Sequence, residues 1–130
     1  MGKIIAVDGA TFDFVNGSLP GVSGVITLLG TASVINKVNG DGFLLDGFQV
    51  QVTNITTSTA TIPDPGPYMV SMNATIAKVK ENSVLALVNG DISDLINATP
   101  QTPATPDPID TPVAFNIGIS DPNQDKVKAV

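Results

Sequence analysis

One short unit recurs along this chain and restricts the fold more than any other feature. Asn36-Lys37-Val38-Asn39-Gly40-Asp41-Gly42-Phe43-Leu44-Leu45-Asp46-Gly47-Phe48 reads as a strand, a tight glycine turn and a second strand. A cousin follows at Ala77-Lys78-Val79-Lys80-Glu81-Asn82-Ser83-Val84-Leu85-Ala86-Leu87-Val88-Asn89-Gly90-Asp91. Asp125-Lys126-Val127-Lys128-Ala129-Val130 has the opening of a third copy that is not completed. Lys37 and Lys78 lie about forty residues apart, a spacing typical of repeated supersecondary units. Three such copies in one chain predict three quasi-equivalent corners, a geometry suited to a threefold-symmetric partner.

The rest of the chain fits short strands joined by turns. Gly (12) and Pro (10) are plentiful and charged residues are few (14%), which favours β structure over helices. At 130 residues a single all-β domain over 1–130 is expected, built of short antiparallel strands and hairpins with a pseudo-repeat. Lys3 to Val15 reads as two strands paired around Asp8-Gly9, with Phe12 and Phe14 on one face. Val22 to Leu29 is a weak strand. Phe48, Val50 and Val52 alternate with Gln49, Gln51 and Thr53, the pattern of a half-buried strand. Asn54 to Ile62, rich in Thr, is expected at an edge or on the surface. Ile62 to Pro67 is a proline-stiffened lip. Tyr68 to Ile76 resumes a strand, and Asp91 to Asn97 has the caps of one helical turn. Residues 99–112, with five prolines, form a polyproline-type connector. Val113, Phe115, Ile117 and Ile119 alternate again and return to the core.

Charge and composition exclude several chemistries. The net charge of −6 argues against nucleic acid and against anionic membranes. With no Cys and no His, disulfides, thiolate metal sites and the commonest general base are all missing. Asn39-Gly40-Asp41-Gly42 with Asp46 breaks off too early for a calcium loop and reads as a plain turn. Asp64, Asp91 and Asp94 sit beside turn residues, so capping outweighs a glycosidase-like acid pair. Lys37 and Lys78 mark solvated strand ends rather than catalytic lysines. The glycines at 21 and 24 lack the lysine and helix of a phosphate loop. The sequons at Asn16, Asn54, Asn73 and Asn97 follow from an Asn- and Thr-rich composition. No signal peptide or bilayer-spanning stretch is read, so cytoplasmic synthesis is expected. No catalytic residue, metal or cofactor is expected, and the chain reads as a non-enzyme.

The segment Val7-Asp8-Gly9-Ala10-Thr11-Phe12 resembles the first hairpin of PAAR-like proteins, small β-rich caps at the spike tip of contractile injection systems and phage-tail-like particles. Lys37-Val38-Asn39-Gly40 running into Leu44-Leu45-Asp46-Gly47 is similar to their recurring units. So are Lys78-Val79 running into Leu87-Val88-Asn89-Gly90-Asp91, and Gln124 to Ala129. The resemblance implies a cone or compact β-fold that caps a trimeric β-helical spike and aids puncture of a target envelope, is monomeric when free, admits effector cargo, and is assembled into a particle and delivered outside or into a target cell on firing. The docking residues would be Lys37, Val38, Phe48, Lys78, Val79, Lys126 and Val127. The family's zinc ligands and its Pro-Ala-Ala-Arg tetrapeptide are absent here, so packing, turns and prolines would hold the tip. The competing expectation is a β-sandwich binding module, either an adhesin or a carbohydrate-recognition domain, or else a phage decoration protein.

Overall fold

The computed structural model describes residues 3–75, 79–81 and 83–129, and among these the chain is all-β, without a helix. β1 (Lys3–Ile4), β2 (Thr11–Val15) and β3 (Ser23–Leu28) come first. β4 (Lys37–Val38), β5 (Asp41–Gly42), β6 (Gln49–Thr56) and β7 (Tyr68–Asn73) follow. Next are β8 (Lys80–Glu81), β9 (Val84–Leu85), β10 (Ile92–Ser93) and β11 (Ile96–Ala98). β12 (Gln101–Thr102), β13 (Ile109–Asp110), β14 (Val113–Asp121) and β15 (Lys128–Ala129) complete the order.

Six strands form a nearly closed antiparallel barrel in the order β2-β14-β10-β7-β6-β3. The ladder runs through Ile117↔Phe14, Ile92↔Gly118, Ile92↔Asn73, Val50↔Val70 and Ile26↔Val52. β2 and β3 approach each other across the remaining gap. The two flat layers of a sandwich are therefore not the architecture. The alternating runs fill the barrel as their period requires: Val50, Val52, Phe115 and Ile117 are fully buried, joined by Ile55 and Met72. Phe12 stacks on Phe48 at 6.0 Å, and Phe14 meets Phe115 edge-on at 5.5 Å.

The barrel is built from the repeat. Each copy runs hairpin, apolar triplet, corner, barrel strand, return strand. The copies are β15-β1-β2-β3, β4-β5-β6-β7 and β8-β9-β10-β14. The third copy is completed by the N-terminal segment: Lys128 pairs with Ile4, and Ala129 with Lys3. Residues between Asp94 and Pro112 are an insertion in the last copy.

Four expectations change. The strands flanking Asp8-Gly9 do not pair with each other, because β1 is taken by β15 and β2 by β14. Asp91–Asn97 is not a helical turn; Ile92 and Ser93 complete the barrel and Ile96–Ala98 pairs with β14. The threonine-rich strand ends at Thr56, and buried Thr57 then caps a turn, its hydroxyl accepting the Ala60 N–H at 2.9 Å. Residues 99–112 are mostly exposed, as expected, but they are not one extended connector. They fold back as the β12–β13 arm, tied to Ile62 by two backbone bonds from Gln101 of 2.9 and 3.0 Å. Ile76, the expected end of β7, lies outside the described residues.

Candidate docking site

The apolar triplets Ile5-Ala6-Val7, Phe43-Leu44-Leu45 and Ala86-Leu87-Val88 meet at one end of the barrel. Each central residue bonds to the next copy in a closed cycle. Leu44 N–H donates to Ala6 C=O (2.9 Å), Leu87 N–H to Leu44 C=O (2.8 Å) and Ala6 N–H to Leu87 C=O (2.9 Å). A second set repeats the pattern further out, with Asp8 N–H on Gly42 C=O (2.8 Å), Asp46 N–H on Leu85 C=O (2.7 Å) and Asn89 N–H on Ile4 C=O (2.7 Å). Bridges Val7↔Phe43, Leu45↔Ala86 and Ile5↔Val88 complete the triangle. One chain thus carries a pseudo-threefold axis.

Strand alternation sorts the triplet side chains. Ala6, Leu44 and Leu87 turn into the barrel core, while Ile5, Ala86 and Val88 form a second apolar layer with half-buried Phe43, Leu45 and Val79. The triangle leaves through three like corners, where Ala10, Phe48 and Asp91 N–H groups donate back to Val7, Leu45 and Val88 C=O at 3.0–3.1 Å. Gly9, Gly47 and Gly90 occupy the third turn position with φ of 92°, 85° and 89°, a conformation that type II turns assign to glycine. Buried Asp91 also accepts the Val88 N–H (2.8 Å) and the Thr75 hydroxyl (2.5 Å), and Asp46 accepts the Ala74 N–H (2.7 Å).

Three two-stranded ladders surround the triangle: the hairpins β4–β5 and β8–β9, and the hairpin-like pair β15–β1, whose strands come from opposite ends of the sequence. Their register corrects the equivalence read from sequence. Asn36, Val79 and Val127 C=O groups accept the N–H of Phe43, Ala86 and Ile5. Lys37 therefore matches Lys80 and Lys128, which pair with Gly42, Leu85 and Ile4 respectively. Lys37-Val38 stands two residues out of step with Lys78-Val79 and Lys126-Val127. The missed signal is the turn: counting back from Asn39 and from Asn82 gives the same offset to Lys37 and Lys80.

The residues expected to dock divide by burial. Lys37, Lys126 and Val127 are exposed and Val79 is half-buried, all on the hairpins, whereas Val38 and Phe48 are buried. Phe48 belongs to the barrel core. Lys78 lies outside the described residues. Sequence reasoning missed Lys80, Lys128 and the exposed Val34-Ile35 pair leading into the first hairpin. It also missed Glu81, whose carboxylate takes the Ser33 hydroxyl and the Asn36 amide (2.7 Å), tying the second hairpin to the first.

Away from this end, Asp64 organises the proline lip. It accepts the Thr99 N–H (2.8 Å), the Tyr68 hydroxyl and the Gly66 N–H (3.0 Å). Burial alone would raise its carboxyl pKa, but those three bonds together outweigh burial and hold it below the ordinary value. The bond to Asp64, then burial and the nearby negative charge, push the Tyr68 phenol up to about 12. Asp64 therefore adds stability above the ordinary carboxyl range, lost as pH falls through its lowered pKa. Tyr68 adds stability below the ordinary phenol value of 10.0, lost as pH rises through about 12. Tyr68 is the sole tyrosine, so phenolate absorbance isolates it. The expected midpoint is near 12, falling toward 10 in Asp64→Ala; an ordinary midpoint in the unmutated chain removes the Tyr68–Asp64 bond.

Among the described residues no cluster of three or more carboxylates is placed to hold a metal. No known protein family, curated protein or solved structure matches this chain.

Proposed function

We propose that this chain is a structural capping subunit that seats end-on upon a trimeric β-helical spike, at the tip of a contractile injection system or phage-tail-like particle. The observation supporting this is the closed cycle of hydrogen bonds through Ala6, Leu44 and Leu87. A lone polypeptide with a pseudo-threefold end presents three similar surfaces, so each protomer of a trimer meets an equivalent one. Each hairpin also offers an outer strand, β4, β8 or β15, which among the described residues is paired on one side only. Such edges extend a partner's sheet by strand addition. The role is mechanical, with rigidity from the barrel and its stitched corners, and needs no catalytic group.

Purified chain mixed with a trimeric β-helical spike from the same source should give, by native mass spectrometry, one chain per trimer. The free chain should run as a monomer. Three chains per trimer, or no complex, overturns the reading.

A further inference from the structure

The capping end holds every cation among the described residues; of the chain's six cations only Lys78 lies outside them. All six are lysines, and they fall within residues 3–4, 36–42, 78–85 and 125–130. Of the twelve acids Asp41, Glu81 and Asp125 share those segments, and Asp8 and Asp46 lie at the corners beside them; the other seven lie elsewhere in the sequence. The Glu81 carboxylate is already engaged by Ser33 and Asn36. Lys37, Lys80 and Lys128 hold one register position in the three hairpins, each leading an outer edge strand and each exposed. An acidic chain whose described lysines gather at one end has an uneven charge distribution, and it meets partners in a preferred orientation.

Resting on the capping reading, we propose that Lys37, Lys80 and Lys128 form a three-point basic rim that pairs with three symmetry-equivalent carboxylates on the docking end of a trimeric protein partner. The partner's end is therefore acidic, and the contact fixes rotational register as well as position. A protein trimer fits better than a lipid surface or nucleic acid. The cations are three separated points around an axis, while most acids lie on the remainder of the chain and would repel a large polyanion.

Amine acylation followed by mass spectrometry reads the rim directly. In the free chain Lys37, Lys80 and Lys128 should all label. In the complex with the spike trimer all three should be protected together. Exposed ion pairs are each worth a factor of roughly two to five. The triple variant Lys37→Gln, Lys80→Gln, Lys128→Gln should therefore weaken binding by about ten- to a hundredfold and flatten its dependence on salt between roughly 50 and 500 mM. A one-per-trimer complex in which these lysines stay reactive overturns the rim and leaves the capping reading intact. No complex with the unmutated chain overturns both. Tight binding to phosphatidylglycerol vesicles that blocks the spike, with the lysines protected there, overturns the protein partner in favour of lipid.

Discussion

Replacing Gly42 with alanine is expected to destabilise the protein by about 3 kcal/mol and to disorder the capping end before the barrel. A Cβ at this position would lie 1.8 Å from the Ser33 carbonyl oxygen and 2.9 Å from its carbon. Both are backbone atoms, so neither clears by rotating a side chain. The displacement reaches all three copies. Gly42 C=O holds Asp8 of the first corner, and Ser33 N–H donates to Phe43 C=O at 2.8 Å. The Ser33 hydroxyl in turn engages Glu81 of the second hairpin. Gly40→Asn is the control. Its Cβ meets nothing within 4 Å, and asparagine tolerates the positive φ of 86° found there. Urea unfolding followed by circular dichroism should separate the two variants. A Gly42→Ala midpoint equal to that of Gly40→Asn would show that Ser33 does not pack against this strand.

Phe115→Ala should cost still more, about 3–5 kcal/mol, a large part of the stability of a domain this size. The ring is fully buried and meets Phe14 edge-on. β14 pairs with β2, β10 and β11, so a cavity under Phe115 loosens three strands together. With an ordinary urea dependence, the midpoint should fall by about 2 M. Phe43→Ala removes the same ring from a half-buried place in the outer layer and should cost clearly less. Equal losses for the two variants would mean that the barrel interior is not the main core.

Much of this architecture is legible in the sequence. The alternation at Phe48–Thr53 and at Val113–Ser120 names two barrel strands and their buried faces, because strand period alone decides which side chains turn inward. The recurrence of an apolar triplet before Asp8-Gly9, Asp46-Gly47 and Asn89-Gly90 marks the corners. The pairing partners are less legible. Asp8-Gly9 carries the local signature of a hairpin, yet its flanking strands are claimed by segments more than a hundred residues away, and no local propensity encodes that competition. The sequence reading aligns Lys78 with Lys37, and only the cross-strand bonds show that Lys80 holds that position instead. The caps at Asp91–Asn97 suit a helix start, but barrel closure and the pairing with β14 claim the backbone instead.

The first triplet is sealed by residues 123–127. Ile5 N–H donates to Val127 C=O, the Gln124 amide reaches Ile5 C=O at 2.7 Å, and the Asn123 amide holds Asp8 C=O at 2.8 Å. During synthesis on the ribosome, Ile5, Ala6 and Val7 therefore emerge well ahead of these partners, Gln124 following Ile5 by 119 residues. Such distant closure makes for slow folding, and a growing chain carries an uncovered greasy stretch until residues 123–127 can fold over it.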